Sequence, residues 1–294
     1  MRKGRPASLE LAGVAISHPD RQVLDDPPLT KGDLARYYAE AADLILPHVA
    51  DRVLGVIRCP ERLGEACFFQ RHPMRGMPES VRHVTTDDGE RPWLAIRDAP
   101  GLLALVQFGA IELHPGSARL DRPDRPDRVI FDLDPDPEVG WDAVVAAARE
   151  LEQRLARQGL ASFCKTTGGK GLHVVVPIER RAGWAEAKAF AESLAEAMAT
   201  DSPERYTTAL PKAERAGKIF IDYLRNDRSA SAVAPYSLRA RPGAPVAMPL
   251  AWAEVTPELS PTAFTIATVM AQARGRPDPW AEMASCRQRL PVRG

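Results

Sequence analysis

A chain of 294 residues can hold one large or two smaller domains, each with its own core. Lysine plus arginine and aspartate plus glutamate are 39 each, so overall charge does not advertise nucleic acid and any basic surface has to be local. The four cysteines form no CxxC and have no histidine at zinc spacing, which argues against a disulfide framework and a zinc site and reads them as reduced packing residues. No apolar stretch of signal or membrane length follows the basic N-terminus, which points to the cytoplasm and away from a membrane.

In chain order, residues 1–13 read as a tail and 14–120 as an N-terminal α/β module. A strand-like run covers Leu9 to Ile16, followed by a turn at Ser17-His18-Pro19-Asp20. Thr30 can cap a helix on which Leu34, Tyr37, Tyr38, Ala41, Ala42 and Leu46 recur at helical spacing. Strands are expected at 53–58 and 67–70 and a short helix at 99–108. The proline-broken, charged run Asp121-Arg122-Pro123-Asp124-Arg125-Pro126-Asp127 marks a boundary, and 121–294 reads as the second module with a C-terminal extension.

Beyond that run the pattern is regular. A strand at 128–134 leads to an amphipathic helix at 140–158, which Gly159 can end in a left-handed cap. Then come a strand at 161–165, the loop Thr166-Thr167-Gly168-Gly169-Lys170-Gly171, a strand at 172–178, a helix at 182–199 and a strand at 218–224. The order β-α-β-β-α-β is the split βαβ plan of ferredoxin-like and RNA-recognition-type sheets, so the fold class is α+β. That plan places the fourth and third strands on either side of the first.

The first strand carries the most informative pair. Alternation puts Ile130, Asp132 and Asp134 on one face and Val129, Phe131 and Leu133 on the other. Two neighbouring acids repel unless a cation sits with them, which makes a divalent metal the natural partner; alone, the pair also fits a strand end with solvated acids. The predicted topology adds Asp222 from the fourth strand and His173 from the third. Three carboxylates around two Mg²⁺ or Mn²⁺ ions suit an in-line phosphoryl or nucleotidyl displacement. The Thr167–Gly171 loop offers backbone N–H groups, a hydroxyl and an ammonium to phosphate, although alone it is equally a hairpin turn, and it lacks Walker A spacing. His173 taken singly is a satisfied structural histidine or a triphosphate contact. Arg225, Asn226, Arg228 and Arg239 follow the third acid, as a solvated basic face or as phosphate donors. Phe68-Phe69 are core residues, or leave one ring free to stack on a base.

The runs Asp132-Leu133-Asp134-Pro135, Lys165-Thr166-Thr167-Gly168-Gly169-Lys170-Gly171-Leu172-His173, Phe220-Ile221-Asp222-Tyr223-Leu224-Arg225-Asn226 and Tyr236-Ser237-Leu238-Arg239 together closely resemble the polymerase domain of bacterial DNA ligase D, in the archaeo-eukaryotic primase superfamily. The resemblance runs from about Val14 to the Asp278-Pro279-Trp280-Ala281 stretch. It implies a primase-like fold and DNA-dependent nucleotidyl transfer from NTP or dNTP, with ribonucleotides favoured, in non-homologous end joining. It implies Ku and a ligase domain as partners, and a place on the nucleoid. By the same resemblance Asp132, Asp134 and Asp222 are metal ligands. Thr167, Lys170, His173, Arg225 and Arg239 contact the triphosphate, and His114 lies near the sugar or base. Arg21 and Lys31 bind the 5′-phosphate of gapped or broken DNA, and Phe68 and Phe69 lie near the template. Thr167 keeps the hydroxyl where the family commonly has serine, and Arg21 keeps the charge but not the hydrogen-bond geometry of the usual lysine.

Three rivals share part of this pattern. A true primase would start chains without a primer. A non-catalytic module would bind 5′-phosphorylated ends and recruit Ku or a ligase, but clustered carboxylates facing polyanionic DNA gain it nothing. A metal-dependent phosphoesterase would need the acids but not the triphosphate contacts.

Overall fold

The computed structural model describes residues 8–62, 66–85, 91–275 and 277–291, and within it the chain's contacts divide into two units. The first comprises Met1–Pro115, Val233–Val246 and Thr265–Ala271; the second comprises Gly116–Ala232, Ala247–Phe264 and Gln272–Gly294.

The first unit opens with a hairpin, β1 (Ser8–Leu11) and β2 (Val14–Ser17), where sequence suggested a tail running into one strand. The correction lies in Ala12 and Gly13, which both take positive φ and so close a two-residue turn inside the apolar run. A small ladder of β3 (Gln22–Leu24) and β4 (Leu29–Thr30) leads into α1 (Lys31–Glu40). Thr30 caps that helix in a reciprocal box with Asp33. The single helix expected through Leu46 is two, because Ala41 (φ −84°, ψ 3°) interrupts it before α2 (Ala42–Val49). β5 (Leu54–Arg58), β6 (Phe68–Gln70), β7 (Arg82–Val84), β8 (Trp93–Ala95) and β9 (Ala110–Pro115) form a sheet in which β5 pairs with both β6 and β9. Asp98 caps α3 (Ala99–Gln107), whose apolar side chains are buried.

Cys59 and Cys67 are disulfide-bonded, which corrects the reading of all four cysteines as reduced. The sheet register explains the pair: Arg58 lies opposite Phe68, so the next residue outward on each strand meets the other. A spacing of eight carries no such signal unless the hairpin is recognised first.

The second unit carries a six-stranded sheet. Its strands are β10 (Arg128–Pro135), β11 (Phe163–Thr166), β12 (Leu172–Pro177), β13 (Tyr206–Thr207), β14 (Ile219–Asp222) and β15 (Pro249–Leu250), in the order β13-β14-β10-β12-β11-β15. β14 and β12 therefore flank β10, both antiparallel to it, as the split βαβ plan requires. α4 (Trp141–Arg157), followed by Gly159 at φ +74°, and α5 (Trp184–Asp201) contact β10 and bury Val144, Ala148, Leu151, Ala187, Ala191 and Leu194. Val129, Phe131 and Leu133 are fully enclosed. On the opposite face Ile130 and Val175 are covered by a small cluster containing Ala232, Trp280 and Met283. Trp280 is tied down by its indole N–H, which donates to the Cys164 carbonyl at 2.9 Å. α6 (Ile266–Arg274) follows β15 in the chain. Among the described residues no helix is long and apolar enough to cross a membrane.

Candidate active site

The next two positions of β10 on the Ile130 face are acidic: the Asp132 side chain is largely enclosed, at 15% exposure, and the Asp134 side chain is half exposed. Asp132 is paired across the ladder with Asp222 on one side and His173 on the other, and Asp134 lies opposite Phe220. β14 ends at Asp222. The edge of β10 beyond that point is completed by a side chain: Asn226 accepts from Ile130 N–H and donates to Ile130 C=O, both at 2.8 Å. Asn226 is thus 1% exposed and spent on structure, which corrects both readings of it, as part of a solvated face and as a phosphate donor. Arg228, read in the same way, is paired with Asp124 at 2.7 Å.

Charges around the acids are closely matched. Arg225 Nη2 lies 3.1 Å from Asp222 Oδ2 and 3.3 Å from Asp132 Oδ2, spanning the two carboxylates. Lys170 donates to the Pro135 carbonyl and stands 3.7 Å from Asp134 Oδ1. His173, 3% exposed, turns Nε2 toward Asp132 Oδ1 at 3.3 Å. Burial pushes the Asp132 carboxyl up, but His173, Arg225 and the buried Lys165 together hold it well below the usual carboxylate range. Burial raises Asp222, assisted by the Asp132 charge and opposed by Arg225. Burial and the Lys165 charge lower His173 to about 4, leaving a neutral ring at pH 7.

The loop after β11 is shaped by its own hydrogen bonds. The Thr167 N–H and hydroxyl both donate to the Gly171 carbonyl at 3.1 Å, folding 167–171 back on itself. A β-carbon at Gly171 would run into the Leu133 carbonyl, so glycine is what lets this turn lie against β10 beside Asp134. Thr167 and Lys170 thereby share the neighbourhood of the acids.

Hard oxygen donors on neighbouring strands suit Mg²⁺ or Mn²⁺. Among the described residues no three His, Cys, Asp or Glu side chains stand as a ready-made metal cage. What β10 and β14 supply is the directly paired Asp132 and Asp222, bridged by Arg225, with Asp134 one pleat along the same face and paired with Lys170.

The first unit holds the remaining positions. Glu112, 4% exposed, accepts from Arg239 Nε at 2.9 Å and from Ala240 N–H at 2.7 Å, and bonds His114 Nε2 at 2.8 Å. These partners and the Arg239 charge bring the Glu112 carboxyl below its ordinary value against the opposing effect of burial. The 236–239 turn is fixed from α1: Tyr37 OH donates to Tyr236 C=O at 2.7 Å, and Tyr38 OH accepts from Leu238 N–H at 3.1 Å while donating to Ile111 C=O. Phe68 and Phe69 are 45% and 48% exposed, so neither is core. Arg21 donates to the Pro60 and Glu61 carbonyls, whereas Lys31 is buried with its ammonium on Ser17 C=O and Gln107 Oε1. Burial and the neighbouring Arg21 charge lower Lys31 to about 8.

Two residues escaped the sequence reading as parts of the site. Glu112 ties Arg239 to His114, and its signal was the Glu-x-His spacing that puts both on one face of a strand. Lys165 is a fully buried lysine beside the acids, and it has no local signal that separates it from its neighbours.

A family model described as "LigD, primase-polymerase domain" matches residues 30–280. The multifunctional non-homologous end joining protein LigD of Pseudomonas aeruginosa is 40% identical over 284 residues, which cover 95% of this chain and 34% of that protein. The bifunctional non-homologous end joining protein LigD of Bacillus subtilis is 31% identical over 272 residues, 92% of this chain and 43% of that one. Among solved structures, the polymerase domain of Mycobacterium tuberculosis ligase D in complex with DNA matches with a TM-score of 0.86 at 28% identity, covering 92% of this chain and 98% of that one. The chain spans about a third of the length of its Pseudomonas relative.

Proposed function

The chain belongs to the LigD primase-polymerase family and is a nucleotidyltransferase domain of α+β, primase-like fold; on that premise we propose that it extends a primer 3′-hydroxyl at gaps and broken DNA ends. The observation that carries this reading is the register of β10 with β14, which pairs Asp132 with Asp222 and sets the half-exposed Asp134 on the same face. The primer oxygen attacks the α-phosphorus of a nucleoside triphosphate, the α–β phosphoanhydride bond breaks, and pyrophosphate leaves.

Asp132, Asp134 and Asp222 would hold two divalent cations, Mn²⁺ or Mg²⁺. Bound there, the ions would supply charge balance for the triphosphate and activation of the attacking oxygen. The protein's own groups do the rest. Lys170 and Arg225, which pair with the acids, offer ammonium and guanidinium donors to the triphosphate oxygens, and the folded Thr167–Gly171 turn presents backbone to them. His173, enclosed and neutral, holds Asp132 in place, which supports its family role beside the triphosphate through the acid. Arg239 and His114, both anchored on Glu112, serve the triphosphate and the sugar. Arg21 and Lys31 serve the 5′-phosphate, and Phe68 and Phe69 the template. Ribonucleotides are the favoured substrates, and the setting is end joining beside Ku and a ligase, in the cytoplasm on the nucleoid.

The test is primer extension on a one-nucleotide gap with Mn²⁺ and either NTPs or dNTPs. The expected product is primer plus one nucleotide with an equal yield of pyrophosphate, faster with NTPs and abolished by chelation. Dinucleotide synthesis on unprimed single strands would instead make the chain a true primase. DNA binding without incorporation would make it an end-binding module, and loss of the terminal nucleotide a phosphoesterase.

A further inference from the structure

Gly55 stands at a position where backbone conformation does not call for glycine. It lies within β5, and it is absent from the residues with positive φ. What distinguishes it is the space above it. Register puts Gly55 opposite His114, and Ile57 opposite both Glu112 and Phe69. Alternation then places Gly55, Phe69, His114 and Glu112 on one face of the first unit's sheet.

Across that face the Phe69 ring reaches diagonally from β6 over Gly55 and meets His114 edge-on, with ring centres 6.0 Å apart. A β-carbon at residue 55 would stand 2.5 Å from Phe69 Cε2 and closer still to Cζ, distances that no packed pair tolerates. Something has to move. The obstructing atoms belong to the outer end of a side chain that is 48% exposed, so the ring swings away before the strand does. The same face carries Arg239 through its bond to Glu112, so the ring's resting place adjoins the groups already assigned to the nucleotide.

We propose that Gly55 is a positioning residue, whose missing side chain makes room for the tip of the Phe69 ring over β5 and holds the ring edge-on to His114 so that a nucleic-acid base can stack on it. This rests on the reading of Phe69 as a base-stacking residue. A half-exposed ring on a short strand has few neighbours to fix it; over Gly55 it gains a floor and an edge contact and presents its open face in one orientation. An alanine at 55 removes the floor while leaving Phe69 in the chain.

The experiment uses the purified chain and a gapped duplex with 2-aminopurine at the templating position, whose fluorescence falls when the base stacks on an aromatic ring. It compares wild type, Phe69→Ala, Gly55→Ala and the double variant, with circular dichroism and thermal melting alongside. The expected result is quenched fluorescence in wild type and recovery in both single variants, with the KM for gapped DNA raised about tenfold in each. The double variant then behaves as Phe69→Ala alone, because the alanine has no ring left to displace. Recovery in Phe69→Ala with wild-type quenching in Gly55→Ala overturns the proposal and leaves the stacking role intact. Quenching that survives Phe69→Ala overturns both. If Gly55→Ala fails to fold, the double variant decides: recovered folding supports the ring as the obstruction, and continued failure assigns Gly55 to the backbone and overturns the proposal.

Discussion

The two units hold their functional groups by different means. In the second, Asp132, Asp222 and His173 sit on three adjacent strands, and their neighbourhood is set by backbone register. In the first, Arg239, His114 and Phe69 owe their placement to other side chains: a shared carboxylate at Glu112, tyrosine hydroxyls from α1, and the bare surface at Gly55. A ladder is cooperative, since shifting one pair shifts all of them. Side-chain anchors fail one at a time. Substitution on the acid face should therefore leave the geometry in place and cost the chemistry itself, and substitution on the other face should loosen placement by smaller steps.

The largest effect tests the first half of that contrast. Asp132→Asn and Asp222→Asn should each lower single-nucleotide incorporation by about a thousandfold or more with little change in melting temperature, because each removes a charge the reaction needs while keeping the shape of the ladder. Arg225→Ala comes next. It should lower incorporation by about a hundredfold, mostly through a raised KM for the triphosphate, as a charge-assisted phosphate donor is lost. An effect of Arg225→Ala confined to kcat would place the residue with the acids alone.

On the other face the steps should be smaller. Glu112→Gln weakens the anchoring of Arg239 and His114 together and should raise the KM for nucleotide by about tenfold while leaving kcat within about twofold. If kcat fell with it, the two faces would be more alike than described. Lys31 adds a pH signature. Its folded value of about 8 lies below the ordinary 10.5, so the folded state carries fewer protons than the unfolded state between those values. Folding stability then rises with pH across that window, while the Lys31 charge, which the proposed function assigns to a 5′-phosphate, is lost above about 8. Preference for 5′-phosphorylated gaps should accordingly fade between pH 7 and pH 9, and Lys31→Ala should remove both the preference and its pH dependence. A preference flat across that range would take Lys31 out of the phosphate site. Smallest of all, Tyr38→Phe should cost about 1 kcal/mol in thermal unfolding through the hydroxyl that joins Ile111 to Leu238.

The same difference decides what could be read from sequence. The β-α-β-β-α-β order was legible because α4 and α5 repeat apolar residues at helical spacing and the apolar runs between them are bounded by Gly159 and the Gly-Gly-Lys-Gly turn, and the order alone set Asp132 beside Asp222 and His173. The first unit gave less. β9 is buried at five of its six positions, so it has no alternation to mark it, and β3, β4, β7 and β8 are two or three residues long. Missing β9 and its pairing with β5 concealed Glu112 as the common anchor and Gly55 as the floor beneath Phe69. Missing the β5–β6 register concealed the Cys59–Cys67 bond. Asn226 was misread for a related reason: amide side chains near a phosphate site and amide side chains that finish a strand edge look the same in one dimension.

The central claim is that the carboxylates on β10 and β14 carry nucleotidyl transfer. It is tested most directly by Asp134→Ala, because Asp134 is the exposed acid and its loss leaves the buried Asp132–Asp222–His173 ladder undisturbed. Wild type and variant, matched by circular dichroism, are given the same gapped duplex, Mn²⁺ and nucleoside triphosphate, and pyrophosphate release is followed. The account predicts stoichiometric release by wild type and none above background by the variant; equal release by both would contradict it.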